Sequence, residues 1–247
     1  MTRPLRDRLR IPKGGGTAES PYPDFDVAAP DKWALDWDEK TRRVVRERVE
    51  QVPRYRFFSL DEALTMEAVC ARILPQDERP PAERVPLAPW IDERLYEGTG
   101  DGYRYEDMPD DRDAYRSALR GFDEAARRLH GRAFAKIEPA EQDDVLARVA
   151  AGEAPGEAWT HLPAKRFFQE LAGETVAMYY AHPVAWAEIG FSGPSSPRGH
   201  IRLDLGRHDP WEATERRPRS SARIVRRALE RKHQGGGGAH ASGGPTH

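Results

Sequence analysis

Between residues 57 and 182 apolar side chains recur every three or four positions in five separate runs, and a proline or glycine opens or closes each run. No other feature restricts the fold as much. Apolar residues at i, i+3, i+4 and i+7 fall on one face of a helix. Proline lacks the backbone donor and clashes with the preceding turn, while glycine takes the left-handed conformation that commonly ends a helix. The first run is introduced by Ser59-Leu-Asp-Glu62, the pattern of a capping box, and Leu60, Ala63, Leu64, Cys70, Ile73 and Leu74 form its expected apolar face up to Pro75. A proline-rich loop, QDERPPAERVP, follows. The second helix is predicted from Ala88 to Tyr96, with Leu87, Trp90, Ile91 and Leu95 on one side and Gly98 beyond its end.

The third helix is predicted from Asp111 to Leu129, where Tyr115, Leu119, Phe122, Ala126 and Leu129 repeat at helical spacing before Gly131. Pro139 suits the first turn of a fourth, with Glu141, Asp143 and Asp144 near its positive end. Val145, Leu146 and Val149 face inward, and Gly152 closes it. Pro163 opens the fifth, whose residues Phe167, Phe168, Leu171, Thr175, Met178 and Tyr179 make the strongest amphipathic stripe in the chain. No convincing strand pair and no repeat of solenoid period appear. The expected fold is mainly α: a bundle-like domain of about five helices, an irregular Gly-, Pro- and aromatic-rich C-terminal segment, and disordered tails.

Charged residues make up 32% of the 247 residues and hydrophobic ones 38%, which is polar enough that part of the chain is expected to stay outside the core. The boundaries follow: an extended or disordered arm over 1–55, the helical domain over 56–215, and a basic helix with a Gly-rich flexible tail over 216–247. Within the arm, a polar helix is expected from Asp38 to Gln51, anchored by Trp33 and Trp37 four residues apart. In the tail, eight Arg or Lys face one Glu between Arg216 and Lys232. Interleaved aromatics are missing there, so a solvated helix or pairing with an acidic partner face is favoured over nucleic acid.

Several function classes are disfavoured. The formal net charge of −2 gives no electrostatic case for nucleic-acid or membrane binding by the whole molecule. One cysteine, Cys70, allows no internal disulfide and reads as a small buried apolar residue. No apolar window reaches transmembrane length. Arg42-Arg43 is followed by the charged VVRERVEQV rather than an apolar run, so no export signal is readable and the cytoplasm is the expected compartment.

The stretch from Tyr179 to Trp211, YYAHPVAWAEIGFSGPSSPRGHIRLDLGRHDPWE, carries the most information. Its Gly and Pro content suggests a loop. Yet Tyr179, Tyr180, Trp186, Ile189, Phe191 and Trp211 are too many large apolar groups for a free linker, and they must bury against the domain or a partner. Arg198, near the tip of a stiff turn between Pro194 and Gly199, is placed to form a forked bond across an interface.

The combination YYAHPVAWAEIGFSGPSSPRG resembles the C-terminal signature of the gluconate 2-dehydrogenase subunit 3 family. The likeness lies in a helix ending in Tyr-Tyr, His-Pro, an aromatic-to-Gly step, and Gly-Pro before Pro-Arg-Gly. FFSLDEALTMEAVCARILPQDERPPAE resembles the family's opening helix and its Ile-Leu-Pro-x-Asp-Glu turn, and with FFQELAGETVAMYY the similarity covers about residues 57–211. The resemblance implies a small subunit of an FAD-dependent sugar or sugar-acid dehydrogenase. FAD and active site would then belong to a large subunit of the glucose-methanol-choline type, with a cytochrome as electron acceptor in many such assemblies. Familiar small subunits carry a twin-arginine signal; without one, periplasmic delivery would need a partner as carrier.

The chain itself offers little chemistry. Gly14-Gly15-Gly16 and Gly235 to Gly238 lack the flanking strand and helix of a dinucleotide or phosphate site. No catalytic, cofactor-binding or metal residue is therefore assigned, and FAD is expected in the partner. The interface is assigned to Tyr179, Tyr180, His182, Trp186, Phe191, Arg198 and Trp211. His182 before Pro183 is expected to end the fifth helix, near its negative pole. The alternative is a stand-alone, metal-dependent enzyme using His182, Glu188, His200 and His208, which requires those side chains to converge.

Overall fold

The structure, a computed structural model, describes residues 37–77, 79–100, 102–191, 193–195 and 199. Trp33, Arg198, His200, His208, Trp211 and the basic segment after Arg216 lie outside the described residues. Within them are seven α-helices and no strand: α1 (Glu39–Glu50), α2 (Leu60–Ile73), α3 (Leu87–Glu97), α4 (Asp111–His130), α5 (Pro139–Ala151), α6 (Ala164–Tyr180) and α7 (Pro183–Ile189).

Local chemistry sets the ends. The Ser59 hydroxyl accepts from the Glu62 amide at 3.3 Å and the Glu62 carboxylate accepts from the Ser59 amide at 2.8 Å, completing the capping box. Left-handed glycines close α3 at Gly98, α4 at Gly131 and α5 at Gly152, where the sequence placed stops. The proline-rich loop after α2 is pinned by a reciprocal pair: buried Gln76 donates to the Val85 carbonyl at 3.1 Å and accepts from its amide at 2.8 Å. Asp92, fully buried on α3, accepts from the amides of Arg56, Phe57 and Phe58 at 2.7–3.1 Å and so fixes the chain as it enters the core.

The core forms where α2, α4, α5 and α6 meet, with α3 against α2 and α6. Phe122 is fully buried at its centre, with Phe134 at 5.6 Å and Trp159 at 5.5 Å between ring centroids. Trp159 lies directly on Gly121, where a Cβ would meet its ring at 2.5 Å, and its indole donates to the Gly121 carbonyl at 3.2 Å. A side chain at that point would push the ring out, which accounts for a glycine in mid-helix. Each large aromatic buried in this way contributes roughly 1.5–3 kcal/mol of transfer free energy.

Two expectations are corrected. Leu60 and Leu64 are not core residues: they are 76% and 50% exposed, and α2 instead buries Ala63, Met66, Val69 and Cys70. At 100° per residue Leu60 and Leu64 lie more than a quarter-turn from the centre of that face, so the stripe read from sequence mixed two faces. The segment after α6 is also less irregular than expected, because α7 forms between Pro183 and Ile189.

Candidate functional site

The end of α6, the short α7 and the N-terminal α1 build one corner of the molecule. Helix termini leave carbonyls without partners, and three at the end of α6 are met. The Tyr179 carbonyl accepts from the His182 amide at 3.0 Å, the Tyr180 carbonyl from the Trp186 indole at 2.8 Å, and the Ala181 carbonyl from the Arg48 guanidinium at 3.1 Å. Arg48 also lies 5.2 Å from the centre of the Trp90 ring. A cation at this position favours the negative end of α6.

His182 works differently from the sequence expectation. It does not sit as a cation at the end of α6; it caps the start of α7, its Nδ1 accepting from the Val184 amide at 3.3 Å. That role needs a neutral ring. Burial and the nearby Arg48 charge hold its pKa down at about 4. Pro183 follows at the first helical position, where its missing N–H costs nothing, and Gly190 closes α7 in the left-handed conformation.

Below α7, the Tyr179 hydroxyl donates to the Glu188 carboxylate at 2.7 Å, and Arg79 forms an ion pair with the same group. Burial and the Glu188 carboxylate raise the Tyr179 phenol above the usual tyrosine range, so it stays a donor. From the other side Trp37 reaches across from the start of α1 and donates to the Pro194 carbonyl at 2.8 Å. Gly193, at φ +82°, lets this happen: a Cβ there would lie 2.6 Å from the Trp37 ring and 3.1 Å from the Trp186 ring. Trp37 therefore does anchor α1, a helix with no buried residue of its own.

The sequence-assigned interface residues divide by burial. Tyr179, His182 and Trp186 face inward and position the corner. Tyr180 and Phe191 are 39% and 45% exposed, and Phe191 packs edge-on against Trp186 at 5.2 Å. Two residues not assigned from sequence join them: Val176, one turn before Tyr180 on α6, and Ile189 at the end of α7, both exposed. The i, i+4 spacing of Val176 and Tyr180 could have signalled this, since both fall outside the buried stripe of α6.

Glu188 is engaged by Tyr179 and Arg79 and His182 by the α7 cap, so these two do not form half of a metal site. Among the described residues no group of three His, Cys, Asp or Glu side chains could hold a metal ion. Cys70 is buried, and burial raises its thiol pKa, which leaves it protonated and inert.

The family description "Gluconate 2-dehydrogenase subunit 3" matches residues 60–193, more than half of the 247-residue chain. The chain belongs to this family. The matched segment holds α2 to α7 and ends at Gly193, within the corner, whereas α1 and Trp37 precede it. Searches of curated proteins and of solved structures return no match. Membership in this family points to an accessory subunit of a dehydrogenase complex and implies association with a dehydrogenase large subunit. No described helix is long and apolar enough to cross a membrane.

Proposed function

We propose that this chain is a non-catalytic small subunit that binds and stabilises the flavin-carrying large subunit of a glucose-methanol-choline-type sugar or sugar-acid dehydrogenase. The observation that carries the proposal is the exposure of Val176, Tyr180, Ile189 and Phe191 on and just after α6 and α7, where buried Tyr179 and Trp186 are held by hydrogen bonds. Apolar groups gathered on a pre-ordered surface mark an interaction site, because little entropy is lost when a partner covers them. They lie inside the family-matched segment, in a family whose members are dehydrogenase subunits. Substrate oxidation and FAD then reside in the large subunit, and this chain supplies surface and support.

Affinity purification of the tagged full chain, co-expressed with a glucose-methanol-choline-type large subunit, tests the reading. An equimolar second chain with flavin absorbance is expected. The double variant Tyr180→Asp with Phe191→Asp should lose that chain while its own circular dichroism stays unchanged, since both side chains are exposed. Recovery of the tagged chain alone, without flavin, would refute the assignment.

A further inference from the structure

Among the described residues, two buried apolar side chains stand apart from the hydrophobic core: Trp37, before α1, and Trp186, on α7. Both rings lie against Gly193. α1 itself buries none of its residues, and Val44 at its middle is 52% exposed. The helix packs chiefly on α7. Two clamps hold it there. Before its start the Trp37 indole donates to the Pro194 carbonyl; near its end the Arg48 guanidinium donates to the Ala181 carbonyl and lies over the Trp90 ring.

Between α1 and α2 the chain has a built-in boundary. Residues 51–55 form no helix and are largely exposed, with Pro53 among them. Directly after them the buried Asp92 carboxylate accepts from the amides of Arg56, Phe57 and Phe58, which fastens the entry to α2 from within the core. Movement of α1 is thus absorbed by 51–55 and stopped at Arg56. The helix also has local support of its own. Asp38 accepts from the Thr41 amide at 2.7 Å, and Arg42 and Arg43 pair with Glu39 and Glu47 at helical spacing. At 12 residues, a helix freed from its contacts is marginal in water, so detachment and unwinding go together.

We infer that α1 is a strap that opens and closes over α7 as one unit while the core stays folded. Closed, Trp37 lies beside Trp186, Arg48 lies over Trp90, and the Ala181 carbonyl is satisfied. Open, those groups meet solvent. Units held by few buried apolar contacts open at free energies well below that of global unfolding. The strap is a property of the chain alone and holds whether or not the proposed large subunit binds.

Native-state hydrogen exchange of the free full-length chain, at low denaturant concentrations, tests the strap. The α1 amides should exchange at least about a hundredfold faster than those of α4, at a rate nearly independent of denaturant, because the opening exposes little surface. They should still exchange more slowly than an unstructured peptide. Trp37→Ala and Arg48→Ala each remove one clamp. The first should speed α1 exchange by about tenfold and the second by less, with α4 and α5 unchanged in both. Exchange of α1 only together with α4, with the same denaturant dependence, overturns the strap, since α1 would then belong to the core unit. Exchange of α1 at the unstructured-peptide rate in the wild type, unmoved by either substitution, also overturns it, since no closed state would exist.

Discussion

Around Phe122 the helical core is held mainly by rings packed on one another, with one indole, that of Trp159, bonded to the Gly121 carbonyl, whereas around Trp186 three rings are fixed by their polar groups. In the core, Phe122 and Phe134 are fully buried and a partly buried Trp159 packs against Phe122. At the corner, two indoles donate to the carbonyls of Tyr180 and Pro194, and one phenol to Glu188, so that each large group is fixed in direction as well as buried. The first arrangement maximises burial. The second controls orientation, and leaves Tyr180 and Phe191 pointing outward from a framework that cannot turn them in. A surface meant to meet another protein needs that second property, and the core does not.

The comparison predicts different responses to damage. Phe122→Ala removes a fully buried ring and leaves a cavity, so chemical denaturation should show a loss of about 3–5 kcal/mol, felt across the whole domain. A loss below about 1 kcal/mol would mean that the core is far looser than described.

Acid should act on the corner through His182. Its folded pKa of about 4 lies below the ordinary value of 6.5. The unfolded chain thus takes up the proton first. The cap's contribution is fully present above pH 6.5, is lost as pH falls toward 4, and amounts to about 3 kcal/mol at most. His182→Asn, which keeps a capping oxygen without a titrating ring, should flatten the stability profile over that range. An unchanged profile in the variant would show that another group carries the acid sensitivity.

Gly193→Ala should have the smallest effect on the fold and the most local one. The added methyl meets Trp37 and Trp186 at a positive φ, so α1 should loosen at a cost of about 1–2 kcal/mol. Tryptophan fluorescence should shift as Trp37 becomes solvated, while exchange protection in α4 and α5 stays as in the wild type. Loss of protection there would tie the corner to the core more tightly than their separate bonding suggests.

The two regions also differed in how readily they could be read from sequence. The core helices announce themselves through Pro and Gly punctuation and through the Ser59–Glu62 capping box, because those signals act within a few residues. The buried face of α2 was misread, since Leu60 and Leu64 are apolar yet turned outward, and only tertiary packing selects Met66 and Val69 instead. Asp92 gave no warning: a carboxylate on a helix ordinarily reads as solvated, and its three amide partners come from residues 56–58. At the corner, α7 hid in a segment rich in Gly and Pro, although His182-Pro183 before it and Gly190 after it are start and stop signals of a seven-residue helix. The aromatic richness of that segment was legible, but which rings face in and which face out depends on Trp37, some 150 residues away in sequence.

Hydrogen–deuterium exchange on the full chain, free and with the proposed flavin-carrying large subunit, tests the central claim most directly. The account predicts new protection confined to the region from Val176 to Phe191, with α4 and α5 unaltered. Protection centred on the exposed α2 face at Leu60 and Leu64 instead, with the corner unchanged, would contradict it.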